Sequence, residues 1–153
     1  MTRFLGLTVA VLFAGFATAD DKKDAKFDAG KMEGKWTITA GSKSGDKADT
    51  DKYKDAVEIT KDKITLKTPD GTFAFKYTVD DKTSPATINL EIVEPEGFKG
   101  TKAVGIVKMD GDSLVLCYPA MGGDKPKDFD AKKDSGNYSF TMKKAGKEEK
   151  KDK

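Results

Sequence analysis

Few residues in this sequence are equipped for covalent or acid–base chemistry. Histidine is absent, and cysteine and tryptophan occur once each. That removes imidazole bases, the Ser-His-Asp arrangement and imidazole metal sites. The single thiol, Cys117, lies between Leu116 and Tyr118 in an alternating run that turns it to the opposite face from both neighbours. No arginine or histidine flanks it to activate the thiol, so Cys117 reads as a small buried hydrophobe beneath a loop. Asp46, Asp49, Asp51 and Asp55 share one loop and could offer carboxylate oxygens to calcium. Their spacing lacks the D-x-D-x-D-G order of a calcium loop and lysines interrupt it, so no metal is expected there. Asp110 and Asp112 are explained by the turn around Gly111. Glu58 and Glu91 fall on outward strand positions with no nucleophile to serve. Catalytic residues and cofactors are therefore not expected, and the chain does not read as an enzyme.

The charge pattern argues against nucleic acid as a partner. The 28 basic residues nearly balance the 26 acidic ones, and Arg3 is the only arginine. The lysines alternate with aspartates instead of gathering on one stretch, which describes a solvated, self-neutralising surface. What remains for function is a set of apolar and aromatic side chains, with Tyr77, Tyr118 and Tyr138 as polar handles among them.

Those side chains must be held by strands, because almost every apolar segment after residue 32 alternates with period two. The strands expected are Trp36–Ala40, Ala56–Thr60, Lys63–Lys67, Thr72–Val79, Ala86–Val93, Lys102–Met109, Ser113–Tyr118 and Asn137–Lys143. Lys61-Asp62, Thr68-Pro69-Asp70-Gly71 and Asp110-Gly111-Asp112 are tight turns between them. A short turn of helix around Phe27–Met32 precedes the set. Eight strands joined mostly by hairpins can close on themselves and abolish their edges, so the fold expected is all-β, an eight-stranded antiparallel up-and-down barrel. Three connections are long: Gly41–Asp55, Glu94–Thr101 and Ala120–Gly136. In the last, Phe129 of Lys125-Pro126-Lys127-Asp128-Phe129 is expected to cap one barrel end.

Alternation points Trp36, Phe73, Phe75, Tyr77, Leu90, Leu116, Tyr118 and Tyr138 inward, and these are the candidate ligand-binding residues of a barrel interior. Ile38, Ile59, Ile64, Leu66, Ile88, Ile106, Leu114 and Phe140 are expected on the same face. Such a set either fills the barrel or lines a small apolar cavity; the shortness of the domain and the bulk of the side chains favour filling.

The first residues give an address. Arg3 precedes an apolar run from Phe4 to Ala17, and Ala17-Thr18-Ala19 stands ahead of Asp20. This is the pattern of a secretory signal peptide cleaved after residue 19, too short to span a bilayer. The expected mature chain has a charged leader and helical turn over residues 20–31, a barrel domain over 32–144, and a disordered charged tail over 145–153. It is expected to be exported, periplasmic or extracellular, and monomeric. With one cysteine it forms no internal disulfide.

Gly34-Lys35-Trp36 opens the first strand after a helical turn, as in the G-x-W signature of lipocalins. Four further segments follow in order: Pro85-Ala86-Thr87-Ile88-Asn89-Leu90, Gly105-Ile106, the hairpin Gly111-Asp112-Ser113-Leu114-Val115-Leu116-Cys117-Tyr118, and Lys125-Pro126-Lys127-Asp128-Phe129. Across residues 32–144 the chain resembles a family of uncharacterised, lipocalin-like exported domains abundant in planctomycete bacteria. Lys125 stands where that family has arginine, as does Lys143 or Lys144 at the end of the last strand. In lipocalins the final arginine packs on the tryptophan ring, so the resemblance implies a weaker lysine–indole contact here. It implies a lipocalin-like fold and an exported address, and the inward apolar set adds the expected function, a barrel that takes a small hydrophobic ligand. The alternative is a filled barrel serving as a structural or protein-interaction module through its loops.

Overall fold

The computed structural model describes residues 26–53, 56–120 and 122–146. The expected signal peptide of residues 1–19, residues 20–25 of the leader and residues 147–153 of the tail lie outside the described residues. The chain begins with a 3-10 turn, Ala29–Met32, whose entry is capped by the Asp28 carboxylate accepting from the Gly30 amide at 3.0 Å. Nine strands follow among the described residues: β1 (Gly34–Lys43), β2 (Asp46–Lys47), β3 (Val57–Ile59), β4 (Lys63–Thr68), β5 (Gly71–Asp80), β6 (Ala86–Glu94), β7 (Lys102–Asp110), β8 (Ser113–Pro119) and β9 (Asn137–Lys144). The two-residue β2 only extends a hairpin off the end of β1. The other eight pair in sequence order, all antiparallel, and β1 returns to pair with β9. The result is an all-β, eight-stranded up-and-down barrel whose main-chain edges are satisfied by closure.

Local chemistry sets the register. Thr68 pairs with Gly71 across the Pro69-Asp70 turn, and Asp110 pairs with Ser113 across Gly111, which takes the positive φ of 59° that the hairpin requires. In β5 the alternation is as the sequence reads: Phe73, Phe75, Tyr77 and Val79 share the inner face. In β1 the alternation is broken. Ile38 pairs with Met142, yet Ala40 pairs with the very next β9 residue, Thr141, so Thr39 is an inserted bulge residue. Trp36 and Ile38 face inward before the bulge, and Gly41 and Lys43 do so after it. Gly41 lies opposite Phe140, and a side chain there would meet that ring at 2.8 Å.

The core is a cluster that includes Trp36, Ile38, Ile59, Ile64, Tyr77, Ile88, Leu90, Leu114, Leu116, Phe140 and Met142. Two expectations need correction. On β7 the inward residues are Ala103, Val107 and Met109, whereas Ile106 is fully buried outside this cluster, directly paired with Cys117. Ile106, Val115 and Cys117 occupy the outer face of β7 and β8, which the Ala120–Gly136 connection closes over. That connection is closed at its base by the Ala120 amide donating to Gly136 O at 2.6 Å and tied to β6 by Lys125 Nζ donating to Thr87 Oγ1 at 2.6 Å. Pro126 and Ala131 are buried along its course. Phe129 therefore caps no barrel end; its ring lies 4.8 Å from Lys108 Nζ on the outer face of β7.

Candidate functional site

The two ends of the barrel differ. At one end Trp36 is completely buried, and its indole Nε1 donates to the Met32 carbonyl at 2.6 Å, locking the 3-10 turn across the opening. Lys144 Nζ stands 5.4 Å from the Trp36 ring centre and donates to Glu33 O at 3.1 Å. Lys144, not Lys143, is thus the lysine on the indole. Tyr77 belongs to this closed half: its hydroxyl donates to Thr60 O at 2.7 Å, and burial, with Glu33 and Asp62 adding to it, raises its pKa.

The other end is open. A cavity of about 480 Å³ enters there, and a smaller chamber of about 40 Å³ lies near it, deeper in the barrel. The two share Ile38, Leu66, Phe75, Leu90, Tyr118 and Phe140 as walls. Of the eight residues expected to line an interior, Phe73, Phe75, Leu90, Tyr118 and Tyr138 line the open cavity, and Leu116 lines the smaller chamber. Trp36 and Tyr77 line neither, because the first is the plug and the second is spent on Thr60. The expectation of a filled interior therefore holds only for the closed half.

The wall also contains residues that alternation alone did not single out. Phe98, Thr101 and Ala103 come from the β6–β7 side, Thr68 and Asp70 from the β4–β5 turn, and Lys43 and Tyr53 from the Gly41–Asp55 segment, while Ile92 is there as alternation along β6 expects. That segment is less of a loop than the sequence implies: β1 continues through Lys43, and a 3-10 turn at Thr50–Tyr53 sets the Tyr53 ring beside Lys43. Lys43 Nζ lies 5.6 Å from the Tyr53 ring centre and 5.9 Å from that of Tyr138. Phe98 is 42% exposed at the rim, in the Glu96–Phe98 turn.

Aromatic rings dominate one wall. Tyr118 meets Tyr138 edge-on at 5.7 Å and lies 6.2 Å from Phe140 and 6.4 Å from Phe75. Enclosure of Tyr118 by the barrel pushes its phenol well above the ordinary tyrosine pKa, with Tyr138, Cys117 and Tyr53 adding to the shift. No described residue hydrogen-bonds to its hydroxyl. Since no sealed polar atom among the described residues lacks a partner, that hydroxyl opens into the cavity.

Away from the cavity, Cys117 is fully buried, and its thiol is pushed up to about 11, first by burial and then by Asp128 and Asp130. Asp49 pairs with Lys52 at 3.4 Å and Glu91 with Lys102 at 3.8 Å, both on the surface. Asp55 lies outside the described residues, among which no cluster of three metal-ligating side chains occurs. No helix among them is long and apolar enough to cross a membrane. Comparison with protein families, with curated proteins and with solved structures finds no match, so the chain is placed by its closed eight-stranded antiparallel barrel and by no family.

Proposed function

We propose that the protein is an exported, monomeric, non-enzymatic carrier that holds one small apolar or amphipathic molecule in the open half of its barrel. The observation that carries this reading is the cavity of about 480 Å³, open at one end only. Its volume falls in the range of pockets that enclose small organic molecules, about 300–1,000 Å³. Its walls are mainly Phe, Leu, Ile and Tyr with few polar groups, which is the composition that rewards transfer of an apolar solute from water. The plug made by Trp36, Met32 and Lys144 supports the lipocalin-like reading of the Gly34-Lys35-Trp36 start, and export rests on the signal-peptide pattern of the first residues.

Titration with the neutral dye N-phenylnaphthylamine tests the reading. Saturable fluorescence enhancement with one dye per chain is expected. It should be lost in Ala103→Trp, which places an indole in the cavity, while the circular dichroism of the variant stays that of the parent. Absence of saturable uptake by the parent would refute a ligand-holding interior. It would favour the alternative of a structural or interaction module, for which exposed Phe98 at the rim would be the first contact to examine.

A further inference from the structure

The register of the barrel places three polar-tipped side chains in one row at the cavity mouth. Lys43 on β1 is directly paired with Tyr138 on β9, and Tyr138 with Tyr118 on β8. Side chains so paired stand about 5 Å apart on the same face of a sheet. Lys43 belongs to this row only because of the Thr39 bulge; strict alternation from Trp36 would turn it to solvent. Bulges commonly re-aim a side chain beside a binding site. One step deeper, the row is Gly41, Phe140 and Leu116, and below it Ile38, Met142 and Leu114. The wall thus passes from a cation and two phenols to a purely apolar floor, and the absence of a side chain at Gly41 lets the Phe140 ring lie against β1 between them.

Among the described residues no carboxylate lies within salt-bridge distance of Lys43, whose ammonium meets only the Tyr53 and Tyr138 rings. The Tyr118 hydroxyl likewise has no hydrogen-bond partner among the described residues, and its side chain lines the cavity. These groups are complementary to an anion that accepts hydrogen bonds, attached to an apolar tail. A cationic headgroup fits less well, because Lys43 already occupies the place over the aromatic rings and would repel it.

We propose that the cavity selects single-chain amphipaths bearing a carboxylate, with Lys43 as counter-ion and the Tyr118 hydroxyl as hydrogen-bond donor to the headgroup. The apolar tail then runs down past Phe140 and Leu90 toward the deep chamber. This rests on the reading of the barrel as a ligand carrier. Among the described residues Asp70, on the β4–β5 turn, is the other charge on the rim, and it gives the carboxylate no help.

Calorimetric titration of the protein with laurate, lauryl alcohol and lauryl amine separates the possibilities, since the three share one tail. Laurate is expected to bind about tenfold more tightly than the alcohol at low ionic strength, the effect of one charge-assisted hydrogen bond. Added salt should narrow that gap. Lys43→Gln should abolish the gap without changing the affinity for the alcohol, and Tyr118→Phe should reduce laurate binding several-fold. Neither variant threatens folding, because the Lys43 side chain is exposed and the Tyr118 hydroxyl bonds to no described group. Equal binding of laurate and alcohol, unchanged by Lys43→Gln, would overturn the headgroup assignment and leave the carrier reading standing. Tightest binding of the amine, weakened by Asp70→Asn, would overturn it in favour of a cation site. Failure of all three to bind would overturn both readings.

Discussion

Replacement of Trp36 tests the physical basis of the closed end. The indole is fully buried, and its Nε1 satisfies the Met32 carbonyl, which belongs to a residue that is itself fully buried. Truncating a buried tryptophan to alanine costs about 3–5 kcal/mol in lost transfer energy and unfilled space. The orphaned carbonyl adds a penalty of about 1–3 kcal/mol if water cannot reach it, which places Trp36→Ala toward the upper end of that range. The Lys144 contact contributes least, about 0.5–1 kcal/mol, because the ammonium remains exposed. Trp36→Phe keeps most of the packing and loses the hydrogen bond, so about 1–2 kcal/mol is expected. Since small domains have only about 5–15 kcal/mol in all, the alanine variant should unfold at a visibly lower urea concentration. Trp36 is the only tryptophan, so unfolding must be followed by circular dichroism and tyrosine absorbance. A loss below about 1 kcal/mol for Trp36→Ala would mean that the indole is not the plug and that the closed end has been wrongly placed.

Four further outcomes follow from contacts elsewhere in the barrel and at its closed end. Native protein should resist thiol reagents at Cys117 at pH 8 and react in urea, and rapid stoichiometric labelling without denaturant would contradict the sealed outer face. Because the folded thiol holds its proton up to about 11, unfolding releases it at lower pH. Stability should therefore fall as pH rises from about 9 toward 11, with roughly 2–3 kcal/mol of the loss from Cys117 and more from the raised Tyr77 and Tyr118, so Cys117→Ala should make the slope shallower by about that share. Gly105→Ala would place a methyl group 2.5 Å from Cys117 O and 3.0 Å from Tyr118 Cβ, and should lower stability by about 1–3 kcal/mol in a thermal melt. Lys144→Arg should hold or raise the melting temperature, since guanidinium stacks on indole better than ammonium does, whereas Lys144→Gln should lower it slightly. A fall with arginine equal to that with glutamine would show that the ring contact contributes nothing.

The sequence made the barrel legible where one strand face meets the core and the other meets water, as in β5 and β6. It misled where that condition fails. In β7 and β8 the outer face is also buried, so Ala103-Val104-Gly105-Ile106-Val107 presents apolar residues to both sides and period two cannot say which side is inner. Ile106 reads as inward for that reason, and Phe129 as a barrel cap, whereas the structure puts both at the strap that covers the outer face. The Thr39 bulge is silent in the sequence because Thr37-Ile38-Thr39-Ala40 alternates whether or not a residue is inserted. The bulge decides that Lys43 faces the cavity, so the charged part of the site was invisible. The aromatic part was visible, since Phe73, Phe75, Tyr118 and Tyr138 follow alternation. Trp36 and Tyr77 follow it too, but inward direction does not give depth along the axis, and depth separates the plug from the cavity wall.

The central claim, that the open half of the barrel holds a small molecule, is tested most directly by native mass spectrometry of the protein purified without detergent from the cells that make it. The account predicts a species heavier than the bare chain by one small organic molecule, released by organic solvent and restored when the solvent extract is added back. A bare mass that stays bare after exposure to that extract would contradict it.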